Sequence, residues 1–286
     1  MLEASISALT PTEQSEEFYR NFYNRYNFIQ VNDVMLRMIA DSSENYDLVL
    51  EKLEGYNSDQ QDLSVYSIAA GIMNPSLMRR RKENRGISTE LFRNLLDRNI
   101  SPLEWYINAA EFLMLYSVCE QSMKDYILSV YVPKNHIKED NIIDKLFDAL
   151  TQSNLRDEFL KELAASSSEV LKSQNELKAA WMYYTVMRHT LVHSGGFITD
   201  KIRQKIVDVK EHNSAPIENI YKSMMIELAA FDCVDFFESA FLNGIVDISR
   251  AHLNFFRNMT VMVIESIERA IHPDEYAIKD FDPYKL

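Results

Sequence analysis

The sequence predicts an all-helical protein, and three observations support that prediction. Residues that interrupt helices are scarce, with 6 Gly and 7 Pro among 286 residues. Apolar side chains recur at steps of three and four along most of the chain, which is the spacing of one helix face. Several of these segments also begin or end at proline or glycine positions that suit helix termini. The pattern indicates a bundle of helices around a shared core.

The first hundred residues are expected to be helical, with a role that the sequence does not assign. One helix is predicted from Thr12 to about Leu53, and its apolar face carries Phe18, Phe22, Tyr26 and Ile29. A connector at 55–61 separates it from a helix at 63–73, which ends where Asn74 precedes a proline. We treat residues 1–100 as an accessory helical region.

The strongest apolar periodicity begins after Ser101, where Pro102 suits the first turn of a helix. The repeat predicts a helix of about seven turns that ends near Val132-Pro133. Its buried face is expected to contain Trp105, Ala109, Phe112, Tyr116, Cys119, Met123, Tyr126 and Val130. A bundle helix is favoured over a coiled coil because this face is rich in aromatic residues.

Further helices are predicted along the second half of the chain. They cover about 141–163, 168–193, 217–241 and 245–271. The segment 197–210 fits either a helix or one short β-hairpin, because its Ile and Val residues match both periods. The choice between the two stays open at the level of sequence.

The composition is that of a soluble globular protein, with 47% hydrophobic and 26% charged residues. No secretory signal and no apolar run near the ~18 residues of a membrane span is visible, so a cytoplasmic protein without membrane contact is expected. Cys119 and Cys233 both fall on predicted apolar faces and are expected to be buried free thiols. They carry little information about function.

Charge limits the kind of nucleic-acid contact this chain could make. A net charge of −13 disfavours a protein that coats nucleic acid over a broad surface, because many phosphates require many basic side chains. It leaves room for a confined basic site. The most concentrated positive charge is the run of Arg79, Arg80, Arg81, Lys82 and Arg85. This run is interpreted either as a solvated helix end or loop, or as an RNA or nucleotide contact.

The segment Arg188-His189-Thr190-Leu191-Val192-His193 combines reactive side chains with the end of an apolar helix, just before Gly195-Gly196. Arg188 falls on the buried line of that helix and therefore needs a carboxylate, a carbonyl or an open cleft. Arginine can hold a phosphate, and histidine can move protons near neutral pH. Together they could cleave a phosphodiester without a metal or a cofactor.

Two other interpretations of the histidines remain open. His189 and His193 lie one helical turn apart, which is a spacing that can bind zinc. Position 190 is threonine, so the glutamate that follows the first histidine in zinc proteases is missing, and no third ligand is evident nearby. The remaining interpretation gives His193 a purely structural place at the helix end.

The Arg188–His193 segment resembles the signature of the HEPN superfamily, in which arginine, a polar residue, a short apolar spacer and histidine end a bundle helix. The resemblance covers about residues 100–245. It implies an antiparallel helical bundle at 101–245, on which the helix and tail at 246–286 pack. Gly195 stands where some members carry a modified tyrosine, so that form of regulation is not expected here.

The resemblance also implies an activity and a set of roles. Many members are metal-independent endoribonucleases of toxin–antitoxin or anti-phage defence systems, and they act as homodimers with two motifs facing across a cleft. By this likeness Arg188 would bind the phosphate, His193 would be the acid or base, and His189 would orient the site. Glu120 would pair with Arg188. Expected partners are RNA and an antitoxin or sensor protein, and the acidic composition with one basic run would suit a structured RNA such as tRNA.

Some members of the superfamily have lost catalysis. The alternative is therefore a non-catalytic helical module that binds nucleotides or another protein through the same residues. Retention of Arg188 and His193 does not by itself decide between the two.

Overall fold

The computed structural model describes residues 8–41, 95, 101–133, 135–167, 171–209, 241 and 244–276. Within these ranges the chain forms helices and no strand, which confirms the all-helical prediction for the part described. The helices are α1 (Glu17–Asp41), α2 (Pro102–Val130), α3 (Ile142–Gln152), α4 (Arg156–Ser166), α5 (Gln174–Ser194), α6 (200–209), α7 (Arg250–Ile271) and α8 (Pro273–Tyr276).

Several sequence predictions lie outside the described residues. They are the helices at 63–73 and 217–241, the basic run Arg79, Arg80, Arg81, Lys82 and Arg85, and the thiol of Cys233. None of the helices within the described ranges has the length and apolar character needed to cross a membrane.

Contacts divide the chain into two compact units. One contains residues 1–31 and 108–286, and the other contains residues 32–107. All residues of the Arg188–His193 segment belong to the first unit. The three-part division into 1–100, 101–245 and 246–286 stays a prediction.

An aromatic cluster holds α2, α5 and α7 together in the first unit. Phe112 and Tyr116 of α2 contact Phe256 of α7 and Trp181 of α5, with ring centroids 4.9 Å apart for Phe112–Phe256 and 4.6 Å apart for Tyr116–Trp181. Tyr184 packs on Phe256 at 4.5 Å. Each large apolar side chain buried in this way contributes roughly 1.5–3 kcal/mol. The cluster therefore fixes the part of α5 that leads into the segment at 188–193.

Helix α2 agrees closely with its prediction. It begins at Pro102 and ends at Val130, shortly before Val132-Pro133. Of the apolar face expected from the repeat, Val130 at the end of the helix is only half-buried, and the other members are buried: Trp105, Ala109, Phe112, Tyr116, Cys119, Met123 and Tyr126. Cys119 is a buried free thiol, as the sequence predicts, and burial raises the pKa of this thiol to about 12.

The helix predicted at 141–163 is in fact two helices, α3 and α4. Asn154 separates them with a backbone φ of 59°, in the left-handed region that asparagine tolerates better than most residues. The amide of Leu155 donates to the carbonyl of Leu150 at 2.8 Å and closes this turn. The apolar repeat in the sequence continues across this break because α3 and α4 each bury an apolar face.

Helix α5 starts later than predicted and ends where predicted. Ser173 is its N-cap, and the Ser173 hydroxyl accepts from the amide of Glu176 at 3.3 Å. At the other end Gly195 adopts a left-handed φ of 59°, and the amide of Gly196 donates to the carbonyl of Thr190 at 3.0 Å. The glycine pair therefore ends the helix.

Residues 200–209 form helix α6, so the helical alternative applies to this part of the ambiguous segment. The short hairpin is not found among the residues the structure describes. Within the described ranges an isolated antiparallel bridge joins Phe197 to Ile245. In it the amide of Ile198 donates to the carbonyl of Gly244, and the amide of Val246 donates to the carbonyl of Gly196, both at 2.8 Å. This bridge ties the end of α5 to the chain that leads into α7.

Candidate active site

Arg188 lies near the end of α5, between a carboxylate and an aromatic ring. Its Nη1 donates to Oε1 of Glu139. Its Cζ lies 5.2 Å from the centroid of the Tyr116 ring, a distance at which the cation and the ring attract each other. The side chain is 25% exposed. The arginine on the apolar line is thus neutralised by Glu139 and still reaches solvent.

Glu139 comes from the loop between α2 and α3, and it joins two motif residues. Oε1 accepts from Arg188, while Oε2 lies 2.7 Å from Nε2 of His189. The loop is anchored to α5 because the indole Nε1 of Trp181 donates to the backbone carbonyl of Glu139 at 2.8 Å. Trp181 lies two helical turns before Arg188 on α5, so its contact with the Glu139 backbone positions the Glu139 carboxylate beside Arg188.

The pairing of Glu120 with Arg188, expected from the sequence, is corrected by the structure. Glu120 accepts from Nζ of Lys124 at 2.6 Å, one turn further along α2. Arg188 takes Glu139 as its partner instead. A lysine at i+4 on the same helix neutralises Glu120 locally. Glu120 remains near the motif as part of the wall of the adjoining cleft.

His189 is held from both ring nitrogens. Nδ1 lies 3.1 Å from Nζ of Lys205, on α6, and Nε2 lies 2.7 Å from Oε2 of Glu139. Burial lowers the pKa of His189, and the positive charge of Lys205 lowers it further, while Glu139 opposes both effects. The neutral imidazole is therefore favoured at neutral pH.

His193 lies one turn beyond His189 and differs from it in environment. The two ring centroids are 5.5 Å apart. His193 is exposed, and it is followed within two residues by the glycine that ends the helix. An exposed histidine at a helix end can reach a ligand that lies across that end, and it can exchange protons with water.

A cleft of about 790 Å³ adjoins this cluster on the His189 side of α5. Its walls come from α2, the Glu139 loop, α5 and α6, and they carry side chains of both charges. The basic members are Lys124, Lys138 and Lys205. The size falls in the range of roughly 300–1,000 Å³ that is usual for small-molecule sites. A nucleotide-sized group would fit here.

The contacts of His189 weigh against the zinc interpretation. Both of its ring nitrogens already have hydrogen-bonding partners within the chain, so neither nitrogen is open to a metal. Across the described ranges no group of three or more His, Cys, Asp and Glu side chains is arranged to hold a metal ion. His189, which is hydrogen-bonded at both ring nitrogens, and His193, which is exposed, therefore have different environments and do not form a metal-binding pair.

The sequence did not identify Glu139, Lys205 or the role of Tyr116. Glu139 lies in a loop without periodicity, and Lys205 lies in the segment whose secondary structure was ambiguous. Tyr116 was recognised only as a core residue of α2. Arg188 on the apolar line of a helix needs a carboxylate partner, and this need was the one signal that pointed towards Glu139. It indicates the type of partner and does not indicate its position in the sequence.

No family model, curated protein or solved structure matches this chain. The resemblance to HEPN proteins therefore rests on the Arg188–His193 segment and its place at a helix end.

Proposed function

We propose that this protein is a metal-independent endoribonuclease of HEPN type, with its active site at the end of α5. One observation supports this most: the Arg188 guanidinium is oriented by Glu139 and Tyr116, and the exposed His193 follows on the same helix end. The two residue types that the reaction needs, a cation for the phosphate and a histidine for proton transfer, thus lie on the last turns of one helix. The proposed setting is a cytoplasmic toxin or anti-phage effector acting on a structured RNA such as tRNA.

The proposed reaction is attack of a ribose 2′-hydroxyl on the adjacent phosphorus. The O2′–P bond forms as the P–O5′ bond breaks, which leaves a 2′,3′-cyclic phosphate and a 5′-hydroxyl. A base accepts the 2′-hydroxyl proton, and an acid delivers a proton to the leaving O5′. His193 takes one of these roles. Arg188 offsets the charge that builds on the non-bridging oxygens.

A homodimer would supply the second proton carrier. Each chain contributes one exposed histidine at the motif, and the reaction needs both an acid and a base. In the dimer implied by the resemblance, two copies of His193 face the same phosphate. His189 does not serve as the second carrier, because both of its nitrogens are hydrogen-bonded within the chain.

The test is cleavage of total RNA by the purified protein in EDTA. His193→Ala is compared with wild type and with His136→Ala, which removes another exposed histidine. We expect His193→Ala to lower the rate by roughly 10²–10⁴-fold, the usual contribution of a positioned acid or base, and His136→Ala to leave it unchanged. Circular dichroism confirms that each variant is folded. Equal cleavage by all three proteins would contradict the proposal.

A second candidate is a non-catalytic module that binds a nucleotide or another protein. One observation favours it: Glu139 already neutralises Arg188 and holds His189, so the cluster is complete without RNA. A nucleotide bound in the adjoining cleft would stabilise the fold by about 2.7 kcal/mol at 100 times its Kd. Nucleotide-dependent thermal stabilisation together with absence of cleavage by the wild type would support this candidate.

A further inference from the structure

Four side chains form one continuous hydrogen-bonded network across the candidate site. Lys205 contacts His189, His189 contacts Glu139, and Glu139 contacts Arg188. This network runs from α6 to His189 on α5, then to Glu139 on the loop, and returns to α5 at the proposed phosphate-binding guanidinium. We infer that Lys205 is a positioning residue which, together with Glu139, holds His189 as the neutral tautomer protonated at Nε2.

The chemistry of the two partners determines the tautomer. A lysine ammonium can only donate, so the Nδ1 atom that lies 3.1 Å from it must carry a lone pair. A carboxylate can only accept, so the Nε2 atom that lies 2.7 Å from Glu139 must carry the proton. Both requirements are met by one form of the ring. His189 is then a rigid link between α6 and Glu139, and it does not transfer protons.

The charges around His189 are consistent with this form. Those lining the adjacent cleft are Lys205 and Asp208 from α6, Lys138, Glu139 and Asp140 from the loop, and Glu120 and Lys124 from α2. On its own helix His189 is flanked by Arg188 and His193. Burial opposes an imidazolium most, the charges of Lys205 and Arg188 oppose it further, and Glu139 favours it, so that the pKa of His189 is lowered.

Protonation of His189 would break this hydrogen-bonded network at the contact between His189 and Lys205. A hydrogen on Nδ1 would face the ammonium of Lys205 and remove its acceptor. It would also place a third positive charge beside Arg188 and Lys205. The consequence for RNA cleavage rests on the proposed ribonuclease function, whereas the tautomer of His189 does not.

Nitrogen-15 NMR of the full-length chain, labelled in histidine, tests the tautomer directly. The resonance of His189 is identified by its loss in His189→Gln. We expect Nδ1 to show the shift of an unprotonated nitrogen and Nε2 that of a protonated one at neutral pH. Protonation at Nδ1, or an equal mixture of tautomers, would overturn the inference.

Variants of Lys205 and Glu139 test the two partners of His189, because they are expected to shift the pKa of His189 in opposite directions. Lys205→Met removes a positive charge and is expected to raise the pKa of His189, whereas Glu139→Gln removes a negative charge and is expected to lower it. Lys205→Arg keeps the donor and should retain the wild-type tautomer. Lys201→Met, an exposed lysine of the same helix, is the matched control and should change neither property. Identical titrations in Lys205→Met and Lys201→Met would overturn the role of Lys205.

Activity separates this inference from the proposed function. If the wild type cleaves RNA, the acid limb of its pH–rate profile should move to higher pH in Lys205→Met and stay in place in Lys201→Met. An acid limb that does not move would show that Lys205 has no part in cleavage. If the wild type does not cleave RNA but NMR finds the Nε2–H tautomer, the ribonuclease proposal fails and the positioning of His189 by Lys205 stands.

Discussion

The guanidinium of Arg188 lies over the ring of Tyr116, with Cζ 5.2 Å from the ring centroid. The Tyr116 hydroxyl shares a hydrogen bond of 2.8 Å with Thr185, and the ring also stacks on Trp181. A fully buried residue of the core thus forms one wall of the candidate site. Packing of the bundle and orientation of the arginine are therefore linked through a single side chain.

The Tyr116 variants should separate these two effects. Tyr116→Phe keeps the ring and loses one buried hydrogen bond, so we expect a loss of about 1 kcal/mol in the free energy of unfolding with RNA cleavage retained. Tyr116→Leu also removes the surface beneath Arg188, and we expect a loss of roughly 2–4 kcal/mol with reduced cleavage. Denaturant unfolding measures the change in stability, and an RNA cleavage assay below the unfolding transition of each variant measures the change in activity. Equal cleavage by the Phe and Leu variants would contradict the role of the ring.

Arg188→Lys should lower activity strongly although the positive charge is kept. A lysine cannot stack on Tyr116 and bind Glu139 with the planar geometry of a guanidinium. Loss of a group that stabilises developing charge commonly lowers kcat by roughly 10²-fold or more. We expect a loss of this size, measured by single-turnover cleavage. The control is Lys178→Arg at a half-buried lysine of α5 that binds Asp144, and this variant should retain activity.

Gly195→Ala should destabilise the fold through backbone conformation alone. Gly195 has a φ of 59°, and a Cβ added there would have no heavy atom within 4 Å. The cost of a left-handed backbone for alanine is about 1–2 kcal/mol. Gly195→Asn should cost less, because asparagine visits this region more readily. Thermal or denaturant unfolding of the two variants measures the difference, and an equal cost would contradict this explanation.

Acidification should destabilise the protein through His252, which is buried near the start of α7. Burial lowers the pKa of His252 from its usual value of about 6.5 to about 3. Between these values the unfolded chain binds the proton and the folded chain does not, so stability falls as pH falls. The slope from this one group approaches about 1.4 kcal/mol per pH unit.

The control for this pH effect is His252→Gln, measured in the same buffers by denaturant unfolding. Glu265 and Glu268 act with the opposite sign, because burial raises the pKa of each and the folded chain then takes up protons first. The difference between wild type and variant isolates His252. A difference that stays constant from pH 7 to pH 5 would contradict a buried neutral histidine.

The sequence identified those features that depend on local chemistry. Pro102 marks the start of α2, and the glycine pair after His193 marks the end of α5. Both depend on the conformational limits of a single residue type. The buried face of α2 was also predicted, since a long apolar repeat has only one way to be buried in a bundle.

The features that the sequence did not identify depend on contacts between distant segments. Glu139 reaches Arg188 from a loop 49 residues earlier in the chain, and nothing in the local pattern distinguishes it from Glu120. Lys205 could be assigned only once residues 200–209 were known to be helical and close to α5. The break at Asn154 was missed because the apolar spacing continues through it.

The most direct test of the proposed reaction is the chemistry of the RNA ends formed in EDTA by wild type beside His193→Ala. We predict 2′,3′-cyclic phosphate and 5′-hydroxyl ends from the wild type and no such ends above background from His193→Ala. Products with 3′-hydroxyl and 5′-phosphate ends, or cyclic phosphate ends formed equally by both proteins, would contradict 2′-hydroxyl attack at a site built from Arg188 and His193.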